Sequence, residues 1–434
     1  MPPTPTELRH RAAGDTLESL PVIELNDSNK STDNGKEQKL VGVDGNWYDV
    51  TNFLKHHPGG PVIEQFIGQD ATHVFHAYGH EGVLKHRKPV GTYKMPIRHP
   101  ADADFEKLIQ FAKEKGYFET DFVWYLKKMF VAFMLLAVAF YLVIGFEQWY
   151  VHYLGAVALA FHWQQCGFIM HDFMHSQVFR KHSKDGPCGT IFGAVFFGIS
   201  ASWWRDEHII HHAMTNVVNV AQRFVDPQMW ESAWAQNEKL FPLFRNTLQY
   251  CFVKIQHITF IPIVVFIGRY EIVTDSFRQE RRWPEWVGAC IHWMWICFLL
   301  SHLPTWKEVF TFYVIAASVE GIFHFQLILS HYCKAFYTTD EFHKYSWFEY
   351  QVLSNMNIET WWFLDWYYGG LNYHIEHHLF PTMARKHLRS IGPYVEEVCK
   401  KHGIDYDMCP FAEAMWKTLV HLKKTGNHFT LDPR

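Results

Sequence analysis

Met129 to Phe146, MFVAFMLLAVAFYLVIGF, is an 18-residue run without a charge, long enough to cross the hydrocarbon of a bilayer as a helix. Three further apolar runs follow, Trp149 to Met170, Trp286 to Leu303 and Val309 to Leu329. These contain polar residues, His162 and Glu320 among them, so each is a weaker signal than the first. Four spans return the chain to the side from which it started. Lys127 and Lys128 precede the first run, Arg180, Lys181 and Lys184 follow the second, and Arg278, Arg281 and Arg282 precede the third. Positive charge concentrated on one side predicts that this side faces the cytosol.

Ahead of the spans the period shortens. Lys39 to Val50, KLVGVDGNWYDV, alternates apolar and polar positions around Asp44-Gly45, which predicts a tight hairpin. Thr51 is placed to cap a short helix, NFLKHH, which Pro58 stops. Gly59 and Gly60 then allow a sharp turn that projects His57 from a rigid corner. A second helix is expected over ATHVFHAY, with Asp70 as its cap, Gly79 as its stop and His80 just beyond. Two histidines at two helix ends can face each other across a flat cofactor. Phe105, Leu108, Ile109 and Ala112 recur at helical spacing up to Lys115-Gly116, and this amphipathic helix is expected at the membrane surface. Residues 1–38 are polar, charged and proline-bearing, and read as a mobile tail without an apolar leader.

Composition narrows the function. With 434 residues, of which 48% are hydrophobic, the chain can bury one large domain and a small one. A net charge of -4 and the lack of a long basic run give no reason to expect a nucleic-acid partner. The eight cysteines form no CxxC pair, which argues against a disulfide framework or a thiolate metal site. Histidine is the anomaly, because many of the 29 fall in clusters, and neutral imidazole is a ligand for transition metals.

Three clusters carry the pattern. HDFMH sets His171 and His175 four residues apart; WWRDEHIIHHAMTN sets His208, His211 and His212 at i, i+3 and i+4; YYGGLNYHIEHHLFP repeats that spacing at His374, His377 and His378. On helices, each cluster turns its imidazoles to one face. A single tetrahedral metal needs only three or four ligands, so eight histidines fit two metals better. Asp172, Asp206 and Glu376 lie beside the boxes and are expected to orient imidazoles through ring N–H hydrogen bonds. Asn216 and Asn372 stand near the boxes either to position ligands or to bond helix ends. Trp203, Trp204, Trp361 and Trp362 are expected mainly as interfacial anchors.

NWYDVTNFLKHHPGG followed by GQDATHVFHAYGH resembles cytochrome b5. The resemblance implies that His57 and His80 are the axial ligands of a haem b that transfers electrons, with His56, His73 and His76 outside that role. The three boxes, with GGLNY and LFP flanking the last, resemble the membrane fatty-acid desaturases, and their order after a b5 segment is similar to the front-end subgroup. That resemblance implies a mainly α protein. A small α+β haem domain (39–98) would precede a multi-span helical domain (99–434) with a cytosolic, histidine-rich site for two non-haem irons.

It also implies a ligand at the end of the last span, for which His331 is favoured over His324. Front-end enzymes usually carry glutamine where this chain has His374, a feature shared with other membrane desaturases and with the divergent insect proteins called cytochrome b5-related. Metal binding should survive that departure. The position of the new double bond does not carry over. The activity implied is oxygen-dependent desaturation of a fatty-acyl lipid, fed by NADH through a cytochrome b5 reductase, in the endoplasmic reticulum membrane. A hydroxylase or sphingolipid desaturase on the same scaffold, and a haem-binding electron carrier with an inactive iron site, are the alternatives.

Overall fold

A computed structural model describes residues 24–25, 38–80, 82–95, 99–219, 224–278, 282–342 and 344–430. Apart from Glu24, Leu25 and Gln38, the expected tail lies outside the described residues, as does Arg281. The N-terminal unit is built on an antiparallel sheet of β1 (Glu24–Leu25), β2 (Leu40–Val43), β3 (Asn46–Asp49) and β4 (Gly91–Thr92), in the order β1-β4-β3-β2. β1 therefore extends the sheet upstream of residue 39. The predicted hairpin is present, with Leu40 opposite Asp49, Val43 opposite Asn46, and Asp44 and Gly45 both at positive φ in the turn. Trp47 is fully buried behind it, against Leu40 and Tyr93.

The helix predicted after Thr51 shortens to a single 3-10 turn, Leu54–His56, because Thr51 is used elsewhere: its hydroxyl accepts from Lys39 N and ties the loop to the sheet. A second 3-10 segment, Gly60–Phe66, follows the HPGG corner. α1 (Thr72–Ala77) begins where Asp70 Oδ1 accepts from Thr72 N at 2.9 Å, and Gly79, at φ 68°, ends it.

α2 (Pro100–Glu114) is the amphipathic helix predicted, but its apolar face is not available to a membrane surface. Phe105, Leu108 and Ala112 are buried in a protein core, with Phe105 ring centres 5.5 Å from Phe348 and 5.3 Å from Phe380. Its face matches a protein partner contributed by residues more than 200 positions downstream, which a local pattern does not reveal.

The bundle contains α3 (Phe122–Ile144), α4 (Trp149–Met174), α9 (Trp283–Leu300) and α10 (Trp306–Tyr332), one helix for each predicted span. Between α4 and α9 lie α5 (His182–Thr190), a π-helical turn (Ile191–Phe197), α6 (Ala201–Ala213), α7 (Thr247–Phe266) and α8 (Gly268–Asp275). Three described helices, α3, α7 and α10, are long and apolar enough by length and composition to cross a membrane. α7 was not among the predicted spans, and its ends explain how it fits the others. Its first half packs on α14 (Phe411–His428), where a Cβ on Gly426 would meet Val253 O at 2.4 Å; its last turns approach Gly321 in mid-α10. α8 then leads to Ser276, whose hydroxyl accepts from Ser200 N at the start of α6. Eight residues of α8 rise about 12 Å, too little to recross a hydrocarbon layer of about 30 Å. α8 therefore does not recross, and α7 with α8 links α14 and mid-α10 to the start of α6.

α11 (Trp347–Leu353), α12 (His374–Leu379), α13 (Leu388–His402) and α14 complete the fold around a short parallel strand pair, Asn357–Glu359 with Met408–Pro410. The eight cysteines are all free thiols.

Candidate functional site

In the N-terminal unit the HPGG corner and the end of α1 bring two imidazoles face to face. His57 Nδ1 donates to Gly60 O at 3.0 Å, and His80 Nδ1 donates to Phe75 O at 3.1 Å. Each carbonyl fixes the proton on Nδ1 and leaves the lone pair on Nε2. The ring centres are 6.2 Å apart with planes 21° apart. Two imidazoles bound through nitrogen to one iron, about 2 Å on either side, put their centres roughly 6 Å apart. The spacing fits a haem iron held between them. Burial lowers the pKa of both histidines, further favouring the neutral ring. His76 instead bonds Asp44 at the surface, and His73 lies 3.8 Å from Asp102.

The second site forms where four helices meet. α4 ends in His171 and His175, α6 carries His208, His211 and His212, α10 ends in His331, and α12 carries His374, His377 and His378. All nine side chains are buried. Nitrogens of His171, His175, His208 and His377 lie within 4.8 Å of one another, and those of His211, His331, His374 and His378 form a second such set. His212 stands between them, with its Nε2 3.0 Å from His208 Nε2 and its ring centre 4.1 Å from that of His378. His324, seven residues and about 10 Å of helix before His331, belongs to neither set.

The hydrogen bonds around these rings decide what the clusters can hold. Six Nδ1 atoms face oxygen acceptors: His171 faces Asp172 (3.3 Å), His208 faces Gln228 (2.7 Å), His211 faces Asp226 (2.7 Å), His331 faces Ser354 O (3.3 Å), His374 faces Leu371 O (3.1 Å) and His378 faces Gln351 (3.3 Å). The ring proton is therefore on Nδ1 and the lone pair on Nε2. Yet His211 Nε2 lies 3.2 Å from His331 Nε2, which lies 2.8 Å from His374 Nε2. Bare lone pairs repel at such distances. A cation between them removes the conflict, and two nitrogens about 2.1 Å from one metal are typically about 3 to 3.5 Å apart. Among the described residues neither nitrogen of His175 nor Nδ1 of His377 has a hydrogen-bond partner, which leaves further buried polar atoms at the site. Burial also lowers the pKa of His208, His212, His377 and His378 well below the ordinary range, and of His374 to about 3.

These features identify a pair of metal centres next to a haem domain, and the comparisons agree. Residues 147–410 match the fatty acid desaturase family, and residues 26–131 match the cytochrome b5-like heme/steroid binding domain. The chain belongs to the fatty acid desaturase family. It is 30% identical to Delta(8)-fatty-acid desaturase 2 of Arabidopsis thaliana over 89% of each chain. Delta(6)-fatty-acid desaturase fat-3 of Caenorhabditis elegans is 29% identical over 89% of this chain and 96% of its own. Delta(5) fatty acid desaturase fat-4 of that nematode is 25% identical over 90% of this chain and 96% of its own. The protein is thus an oxidoreductase of a membrane-bound family, with a cytochrome b5 haem domain fused to a domain with histidine-rich, diiron-type sites, and it desaturates fatty-acyl chains with dioxygen as co-substrate.

The desaturase's supporting residues were only partly anticipated. Asp172 does face a ring nitrogen, and buried Arg385 holds it through a bidentate guanidinium contact while also bonding the carbonyls of Gly369 and Phe168. Asp206 points away, pairing with Arg205. Glu376 bonds Asn357 Nδ2 at 2.9 Å and the Tyr406 hydroxyl at 2.7 Å instead of an imidazole, and burial pushes its carboxyl up to about 7. Asp226 takes the role expected of these neighbours: fully buried, it accepts from His211 Nδ1 and from the backbone N–H groups of Asn216 and Gln228. Its distance of 15 residues from His211, on a loop, left no spacing signal.

Asn216 straps box two to the end of α10 through Nδ2 bonds to His331 O and Ala335 O, and Asn372 Nδ2 reaches Asp365 at 3.5 Å. Trp204 is no interfacial anchor, because its ring stacks on His208 with centres 4.0 Å apart. Trp361 and Trp362 are 72% and 74% exposed.

Proposed function

We propose that the haem domain, residues 39–98 with the β1 segment added, binds haem b through His57 and His80. In the same reading the desaturase domain, residues 99–434, holds two irons through His171, His175, His208, His212 and His377 on one side and His211, His331, His374 and His378 on the other. The facing Nε2 pairs of His211, His331 and His374 carry this reading. When bound, the irons supply the oxidising power that removes two hydrogens from an unactivated acyl chain with dioxygen and two electrons. The side chains do the remaining work. Asp172, Asp226, Gln228 and Gln351 hold rings in register, and Arg385 keeps Asp172 aimed at His171. No side chain need serve as a general acid or base.

The electron donor to the haem is a cytochrome b5 reductase using NADH. The protein resides in the endoplasmic reticulum membrane with both metal sites on the cytosolic side, in line with the positive residues that flank the spans. The test is mass analysis of cellular lipids with and without the protein. Desaturation gives acyl products lighter by two hydrogens, and the His374→Ala variant gives none. Products heavier by one oxygen would overturn the reading in favour of a hydroxylase.

A further inference from the structure

The HPGG corner does more than present His57. Gly60, at φ 71°, lies against α6: a Cβ there would meet Asp206 Oδ1 at 2.5 Å and Asp206 Cγ at 3.0 Å. Asp206 Oδ1 is held by the Arg205 fork, with Nε at 2.9 Å and Nη2 at 2.5 Å, and Arg205 Nη1 reaches His182 Nε2 on α5 at 3.3 Å. Thus His57 bonds Gly60, Gly60 touches Asp206, and Asp206 is two residues, about 3 Å of helix rise, before His208. Apolar packing joins the same surfaces. Val62 and Phe66 of the haem unit share one core with Ile209, Ala213 and Met214 at the end of α6. On the metal side of α6, Trp204 covers His208.

We infer that Asp206 is a positioning residue that seats the haem corner on α6, so that electrons enter the metal centre through a built-in contact and not through a freely swinging domain. This rests on the haem and metal assignments above. Each transfer oxidises the haem by one electron and reduces the metal centre by one. Two transfers, with two protons, accompany the loss of two hydrogens from the acyl chain and the conversion of one dioxygen to two waters. Arg205 holds the Asp206 carboxylate in place, and the missing side chain at Gly60 lets the backbone come within contact distance.

The test uses the full-length protein in phosphatidylcholine nanodiscs, as wild type, Asp206→Ala and Asp206→Lys, with His211→Ala setting the background of direct haem oxidation by air. Haem absorbance, reduction by the reductase and iron content should be unchanged by either Asp206 substitution, which shows that both sites still form. Reoxidation of the pre-reduced haem in air-saturated buffer should slow on the order of 10- to 100-fold, as small misplacements of reacting partners do. Amides of Gly60–Phe66 and Ile209–Ala213 should lose protection from hydrogen exchange, and more so with lysine, which repels Arg205. Wild-type reoxidation rate and protection in Asp206→Lys would overturn the docking role. Wild-type haem that reoxidises no faster than His211→Ala would instead overturn the electron-supply reading on which it rests.

Discussion

Asp226→Asn is the substitution that most directly probes how the metal centre is supported. The native carboxylate is fully buried and accepts three hydrogen bonds, from His211 Nδ1 at 2.7 Å, Asn216 N at 2.8 Å and Gln228 N at 3.1 Å. Asparagine keeps the shape but offers one oxygen and turns an NH2 group toward a donor. At least one bond to a charged acceptor is lost, worth about 1.5 to 3 kcal/mol. His211 Nδ1 and Asn216 N share Oδ2 while Gln228 N uses Oδ1, so His211 then faces a neutral amide on a loosened loop instead of a carboxylate, and such a change behind a metal ligand typically costs about 10- to 100-fold in metal affinity. The expected result is iron that leaves to a chelator at correspondingly lower chelator concentration, while haem absorbance, arising from a separate site, stays constant and reports that the fold persists. Chelator titration of purified protein, read by elemental analysis of retained iron, measures this. Iron retention equal to wild type would refute the argument that Asp226 tunes the metal through His211.

Three other substitutions separate parts of the account. His331→Ala should lose non-haem iron and lipid product whereas His324→Ala should keep both, since only His331 lies within its metal set; elemental analysis beside lipid profiling reads the difference. His57→Ala should abolish haem absorbance yet retain non-haem iron, and His211→Ala should do the converse; both should be inactive, whereas retained cellular function in His211→Ala would favour a simple electron carrier. Arg385→Met leaves Asp172 buried without its counter-charge and should destabilise by about 3 to 5 kcal/mol in chemical unfolding, with part of the loss restored in Arg385→Met/Asp172→Asn.

Short-range patterns were legible in the sequence where the physics is local. The Asp44-Gly45 hairpin, the HPGG corner, the Asp70 bond to Thr72 and the i, i+3, i+4 histidine triplets all depend on neighbours within a few residues. The long apolar runs also announced their helices. What local pattern could not give was the partner of each face. α2 looked like a surface helix because its stripe of Phe105, Leu108 and Ala112 is the same whether it meets lipid or the distant Phe348 and Phe380. α7 was missed because Lys254, Gln256 and Pro262 interrupt its run, and only the fold shows that its apolar face packs on α10 and α14.

The same limit applied at the site. Nine candidate positions were readable from histidine spacing and family resemblance, but the acceptors behind them were not. Asp206 and Glu376 adjoin box histidines in sequence and turn elsewhere in space, while Asp226 reaches the site from a loop and Arg385 from a 3-10 turn. A helix advances 100° per residue, so a carboxylate next to a ligand reaches it only when something else turns it there, as Arg385 does for Asp172 and nothing does for Asp206 or Glu376. Tertiary contact alone selects the acceptor.

The most direct test is the number of iron atoms per chain in full-length, haem-loaded, active protein purified in detergent, with the haem counted independently by its absorbance. Two non-haem irons beside one haem iron are expected, and both should fall when His331 is replaced. Iron equal to the haem content, in protein that still forms the unsaturated product, would contradict the claim that these nine histidines hold two metals.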